Sequence, residues 1–318
     1  MELIVHEASA PATVQDLGRP GARLAGVPTG GAMDAPALRV ANLLVGNPAS
    51  AAGLECAVAG PVVSFSATAR VAVCGAEVRG VPGWRPIVLR RRERLDLRRF
   101  VAGYRAYLAV AGGLDVPAVL GSRSTDVRTG FGGYLGRALR AGDRVPVGAS
   151  CPADGRPPGA WQVAHSIRPR LSDEVTLRVI LQPDAPADLL TGRAFVVDPA
   201  SDRMGVRLRP DKGPSRADRS THHARDGELP SRAVVPGTVQ LPPDGRPIIL
   251  AADAPTIGGY AVAGVVITVD QALVAQLRPG HRVRFEGVDL AEARRQLRRR
   301  ERALAMLRVA MHPDARIR

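Results

Sequence analysis

Over most of its length the chain alternates short apolar runs with glycine- and proline-rich turns, and two stretches break that rhythm with a helical period. Residues 2–8 read as a first strand. Residues 61–65, 70–74, 86–89 and 104–110 follow as further strands bounded by turn residues, and 175–181 opens a second half. Residues 34–45 place Leu38, Ala41 and Val45 on one helical face. Asp34 is a suitable N-cap there, Pro36 is tolerated in the first turn, and Gly46 stops the helix. Residues 289–307 are also helical, with Leu290, Leu297, Leu304 and Leu307 on one side and Arg294, Arg295, Arg298, Arg299, Arg300 and Arg302 on the other. The pattern predicts a mainly β chain with a few helices (α+β), its strands spaced for a barrel or a folded sheet.

Three regions follow from this pattern. Residues 1–150 form an N-terminal β-rich module with a glycine-rich loop and a short helix. After an aperiodic linker at 148–172, residues 173–288 form a C-terminal β module, and 289–318 an arginine-rich terminal helix and tail. The Gly-Gly-Tyr of 132–134 recurs at 258–260, and Leu139-Arg-Ala-Gly-Asp-Arg-Val145 is echoed by Leu277-Arg-Pro-Gly-His-Arg-Val283, which hints at two related modules.

Composition narrows the function classes. Of the 318 residues 45% are hydrophobic but only 3% aromatic, so the core is aliphatic. The net charge of +14 invites a nucleic-acid reading, yet Lys212 is the sole lysine and stacking platforms are few, so no nucleic-acid partner is expected. The arginine run of the last helix then reads as the solvated face of a docked helix. Cys56, Cys74 and Cys151 have no CxxC spacing and read as free thiols. The adjacent His222 and His223 sit in a polar loop without companion ligands, so no metal is expected. No leader and no apolar run of about 20 residues is legible, which points to a cytoplasmic protein without a membrane segment.

The candidate chemistry begins in the glycine-dense stretch Thr13-Val-Gln-Asp-Leu-Gly-Arg-Pro-Gly21, continuing through Gly30-Gly-Ala-Met-Asp34. Such a backbone bends tightly and lets a ligand approach closely, although glycines also mark plain connections. Its polar groups are Gln15, Asp16, Arg19, Asp34 and Asn42. Arg123, Ser124 and Thr125 lie in a turn suited to facing an anion, and Arg203 suits a carboxylate or phosphate clamp. Asp253 ends the apolar run 248–252 just before Thr256 and the paired glycines Gly258 and Gly259. It is the candidate acid/base, with Arg203 and Thr256 as catalytic companions; a turn-forming Asp is the alternative. Gln15, Arg19, Asp34, Asn42, Arg123, Gln240 and Gly258 are the candidate substrate-binding positions. No Walker A motif, no GxGxxG after a strand and no biotinyl-lysine motif is present.

Together these motifs resemble a known family. They are Thr13–Gly21, Gly30–Asp34, Ala41-Asn-Leu-Leu-Val-Gly-Asn47, Tyr107-Leu-Ala-Val-Ala-Gly-Gly113, Gly121-Ser-Arg-Ser-Thr125, Ser201-Asp-Arg-Met-Gly205, Val235-Pro-Gly-Thr-Val-Gln240, Pro243-Asp-Gly-Arg-Pro247 and Thr256-Ile-Gly-Gly-Tyr260. The family is allophanate hydrolase subunit 2, also known as KipA or as PxpC, the C component of 5-oxoprolinase, and as a biotin-dependent carboxyltransferase family. The resemblance covers about residues 3–288.

It implies cyclophilin-like β-barrel modules, the C-terminal one above all. It also implies two partners, a KipI-type subunit and a third lactam-hydrolase subunit. With them the chain would open the lactam of 5-oxoproline to glutamate at the expense of ATP, the ATP being held chiefly by partners. Two other readings stay open: carboxyl transfer in a urea carboxylase-like system, with biotin arriving on another protein, and a regulatory protein that antagonises a KipI-type kinase inhibitor. Pro255 and Ala261 stand where members of the family often have glutamine and proline, a departure that implies altered specificity or weakened activity if the missing glutamine touches substrate.

Overall fold

The structure, a computed structural model, describes residues 1–149, 163–164, 167–183, 190–211 and 230–311. Cys151, Lys212 and the histidine pair at 222–223 lie outside the described residues. The chain divides into two compact units. The first comprises Met1–Arg19, Gly30–Leu171 and Arg299–Arg318, and the second comprises Pro20–Thr29 and Ser172–Arg298.

Nine strands build the first unit: β1 (Glu2–Glu7), β2 (Ala12–Gln15), β3 (Gly53–Ala57), β4 (Val62–Phe65), β5 (Ala69–Val78), β6 (Pro86–Leu89), β7 (Leu95–Asp96), β8 (Phe100–Val110) and β9 (Arg144–Pro146). They form a four-stranded sheet in the order β7-β4-β1-β9 and a five-stranded sheet in the order β2-β3-β8-β5-β6. Successive side chains of a strand face opposite ways, and β5 and β8 bury both faces. Val71 and Val73 with Leu108 and Val110 join the apolar core shared with Leu3, Val63 and Phe65. Ala72 and Cys74 with Tyr107 and Ala109 face the other way, onto helix α1 (Ala35–Leu44). Burial of both faces explains why β5 carries no apolar–polar alternation and runs beyond the 70–74 expected from pattern alone.

In the second unit the strands are β10 (Glu174–Leu181), β11 (Ala194–Val197), β12 (Gly205–Pro210), β13 (Arg232–Ala233), β14 (Thr238–Leu241), β15 (Ile248–Leu250), β16 (Ile257–Gly258), β17 (Ala261–Val266) and β18 (Arg282–Gly287). Seven of them close a barrel in the order β10-β17-β14-β15-β12-β11-β18, sealed by parallel pairing of β10 with β18. Closure removes the exposed edges that an open sheet of these short strands would leave. Val175, Leu177 and Val179 alternate inward on β10, and the rings of Phe195 and Phe285 meet edge-to-face at 5.8 Å inside. β13 and β16 pair outside the barrel as a small ribbon. The chain is thus mainly β with few helices, as its pattern predicts.

Two helical features had no counterpart in the pattern. Helix α2 (Gln271–Ala275) is too short to show a period, and it is positioned by buried Asp270, whose carboxylate accepts from Arg178 N, Nε and Nη2 at 2.8, 3.0 and 2.6 Å. A 3₁₀ turn spans Pro20–Ala25 inside the glycine-rich loop. The terminal helix α3 (Leu290–Met311) extends past the expected end at 307, and its Leu304 and Met311 pack into the apolar cluster of α1.

Candidate functional site

In the first unit the site residues gather where β2 ends at the edge of its sheet. Val14 O there accepts from both Thr125 N and Thr125 Oγ1 at 2.9 Å, so the 121–125 loop satisfies an edge carbonyl that the sheet leaves open. Asp16 fastens the same two loops. Its Oδ1 accepts from Gly18 N, Ser122 Oγ and Ser124 Oγ at 2.7, 2.6 and 2.5 Å, and its Oδ2 from Arg123 N at 2.6 Å. A carboxylate holding four donors acts as an anchor rather than as a base. Buried Arg19 donates to Ser124 O and lies over the Phe131 ring, 4.8 Å from its centroid. Gly132 and Gly133, both with positive φ, press against Ser124 O and the Thr125 side chain, leaving no space for a Cβ. Gln15 is fully buried and donates to Thr13 Oγ1 and Thr125 O at 3.0 and 3.2 Å, while its Oε1 has no partner among the described residues. An orphan buried acceptor costs about 1–3 kcal/mol, which leaves Gln15 with unspent capacity in this loop. Arg123 is held at its base, its Nε 2.8 Å from Val116 O, while its guanidinium reaches the surface.

The turn Gly30–Asp34 lies against this loop, Ala32 N donating to Asp16 O at 2.9 Å. Behind it is a buried network that the sequence did not suggest. Asp34 N donates to Tyr107 Oη at 2.7 Å, Tyr107 Oη donates to Glu55 Oε2 at 2.8 Å, and Met33 N donates to the same oxygen at 2.9 Å. Arg105 stands 3.7 Å from Glu55 and balances its charge. Desolvation, reinforced by the Glu55 and Asp34 charges, pushes the Tyr107 phenol well above its ordinary range. Desolvation also raises the Cys74 thiol, so it is no nucleophile. The visible signal for this network was Glu55 itself, an acid inside the apolar run of Gly53–Ala57. Asp34 caps α1 by accepting from Ala37 N at 3.0 Å. Asn42 ties the far end of α1, donating to Ala51 O at 2.7 Å and accepting from Asn47 at 3.0 Å. Both of these candidate substrate contacts are therefore engaged in holding the helix.

In the second unit Arg203 and Asp253 pair bidentately, Nε to Oδ2 at 2.7 Å and Nη2 to Oδ1 at 2.8 Å. Asp253 N also donates to Arg203 O at 2.9 Å. The candidate acid/base and the candidate clamp thus face each other. Thr256 O accepts from Val234 N at 3.1 Å. Arg23, from the 3₁₀ turn, donates to Val234 O and lies 3.5 Å from Thr256 O, so the loop Pro20–Thr29 is stitched to the β13–β16 ribbon. Gln240, buried on β14, sets its Nε2 against Gly258 so closely that a Cβ there would overlap it. Among the described residues its side-chain amide makes no hydrogen bond. An unspent amide beside bare glycine backbone has both the donor and the acceptor that recognise another amide. The structure therefore joins Gln240 with Gly258, and Arg203 with Asp253. It joins Gln15, Arg19 and Arg123 separately, through the loop that Asp16 fastens. Among the described residues no group of three His, Cys, Asp or Glu side chains is placed to hold a metal ion, and no helix is long and apolar enough to cross a membrane.

A paired β architecture with a closed barrel and glycine-walled polar loops matches known proteins closely. The family model "Carboxyltransferase domain, subdomain A and B" matches residues 25–287, and the chain belongs to that family. Within it, the C component of the 5-oxoprolinase of Escherichia coli (strain K12) is 36% identical over 315 residues, spanning 95% of this chain and 96% of the relative. The urea amidolyase of Lachancea kluyveri is 32% identical over 307 residues, covering 89% of this chain but only 17% of the relative. Among solved structures, the K. lactis urea amidolyase matches with a TM-score of 0.84 at 29% identity, over 96% of this chain and 20% of that one.

Proposed function

We propose that the chain is the C component of an ATP-dependent 5-oxoprolinase, opening the lactam of 5-oxoproline to glutamate together with a KipI-type subunit and a third subunit. The observation that carries this reading is the end-to-end match to the C component of a 5-oxoprolinase, 95% of one chain on 96% of the other. Lactam opening needs donors toward a developing oxyanion and an acceptor for the ring N–H. The Gln240 amide beside Gly258 supplies one of each on the barrel, and the Arg203–Asp253 pair fixes the segment that carries Thr256. Neither α1 nor α2 offers an open N-terminus for the triphosphate of ATP. The N-terminus of α1 is filled by the Asp34 carboxylate, and α2 is a single short turn. ATP is accordingly assigned to partner subunits, in keeping with a chain that has one lysine.

A second reading, carboxyl transfer to urea from biotin borne on another protein, draws on the 0.84 TM-score with a urea amidolyase. The two separate in one assay. The chain is purified with its partner subunits, and glutamate release from 5-oxoproline and ATP is followed with each subunit omitted in turn. Turnover that requires every subunit is expected. Urea-dependent carboxylation by a biotinylated partner, without lactam opening, would transfer the assignment to the second reading.

A further inference from the structure

Helix α3 has two faces of different character. Inward, Leu304 and Met311 are buried against α1, and Glu301 is gripped by Arg39 through bonds of 2.9 and 2.8 Å. Outward, Arg294, Arg298 and Arg302 recur every four residues along one exposed line, flanked by Arg299, and Met306 continues it at 73% exposure. The line is about 18 Å long at the helical rise of ~1.5 Å per residue. Both carboxylates of the helix are already engaged, Glu292 with Arg295 and Gln296, and Glu301 with Arg39. Among the described residues no carboxylate pairs with Arg294, Arg298, Arg299 or Arg302. The helix also lies beyond residues 25–287, which the family model matches.

We propose that this line is a docking face for a protein partner that presents an acidic rim and an apolar socket for Met306. An acidic rim would neutralise four cations that no carboxylate of the described residues matches, and would steer association over a Debye length of ~8 Å. Other anionic surfaces fit less well. A phosphate backbone would use the arginines but leave Met306 in water, and the helix has no aromatic side chain on which a base could stack. A lipid surface needs an apolar face free to insert, whereas Leu304 and Met311 are committed to the core. Arginine and methionine together are characteristic of protein interfaces. The occupant is one of the enzyme's other subunits, so the proposal rests on the reading of the chain as one component of a multi-subunit enzyme.

The test uses the full chain with its co-expressed partner subunits, and affinity is measured by sedimentation at about 50 mM and about 300 mM salt. Two variants are compared: Arg294→Gln/Arg298→Gln/Arg302→Gln, and Met306→Asp. The triple variant is expected to weaken assembly at least about tenfold at low salt and to flatten its salt dependence. Met306→Asp should weaken it at both salt levels. Unchanged melting temperatures are expected, since all four side chains are exposed. Assembly that is indifferent to both variants overturns the docking face and leaves the subunit reading intact. Loss of binding to a single-stranded RNA of about 30 nucleotides, with subunit affinity unmoved, also overturns it and gives the stripe to nucleic acid. If the unaltered chain joins no partner subunit at either salt level, the subunit reading and the docking face both fall.

Discussion

Arg203 and Asp253 occupy each other's hydrogen-bonding edges, two parallel charge-assisted bonds across fifty residues of sequence. Both side chains are mostly screened from water, at 18% and 17% exposure. This geometry makes the two one functional unit. On the proposed function, Arg203→Ala and Asp253→Ala should each reduce lactam turnover by a similar factor in the assembled complex, and the double variant should be little worse than either. Steady-state assays of the three variants check this. A large loss confined to the Asp253 variant would restore that carboxylate to an independent acid/base role.

Asp16 supports the glycine-rich loop through four donors, one of them a backbone N–H from the 121–125 loop. Asp16→Ala strands two hydroxyls and two amides. A loss of about 3 kcal/mol in unfolding free energy is expected from denaturant titration, with Asp16→Asn recovering part of it.

The glycines of the loop divide by what surrounds them. Gly31 has φ +85°, and a Cβ on it would sit 2.7 Å from Gly18 N, so Gly31→Ala should cost more than about 2 kcal/mol. Gly21 has open space on every side and ordinary φ, so Gly21→Ala should fall within about 0.5 kcal/mol of the unaltered chain. Thermal melting of both variants separates a steric requirement from a merely flexible position.

His281 is buried at the start of β18, with Arg278 Nε 2.6 Å from its Nε2 and Asp173 Oδ1 3.0 Å away. The arginine contact makes Nε2 the acceptor and leaves the proton on Nδ1, which has no partner among the described residues. Burial first, then the Arg278 charge, lowers its pKa below the ordinary 6.5, against a smaller opposing pull from Asp173. The folded chain thus resists a proton that the unfolded chain accepts. Its contribution is complete above about pH 6.5 and is lost progressively as pH falls below that value toward the folded pKa. Melting temperature followed from pH 7.5 down to pH 5 should therefore drop less in His281→Gln than in the unaltered chain.

Much of the fold was legible in the chain because its turns are chemically explicit. Asp34, Pro36 and Gly46 bracket α1 within a residue or two of where it forms, and a glycine or proline begins or ends β3, β6, β9, β12, β16 and β18. The site was legible by composition but not by pairing. Nothing local in Arg203 or Asp253 says that they meet, since their contact depends on β12 and β15 lying side by side in the barrel. Asp34 and Asn42 drew attention as polar residues in a glycine-rich neighbourhood, where capping chemistry and ligand chemistry use the same side chains. Tyr107 was hidden for the opposite reason. In an apolar strand it reads as core, and only the facing Glu55 of β3 turns its hydroxyl into a connector.

The stitch made by Arg23 has a consequence for how the polypeptide is made. Pro20–Thr29 leaves the ribosome some two hundred residues before Val234 and Thr256, the carbonyls its arginine holds. Until those arrive, the segment has no permanent place. The second compact unit cannot then be completed from a contiguous fragment that begins at residue 172, and the first lacks its closing helix until residue 299 onward is synthesised. Cutting the gene at the midpoint would yield two halves that each lack a piece of themselves. Co-translational folding must wait for the C-terminal third before either half is whole.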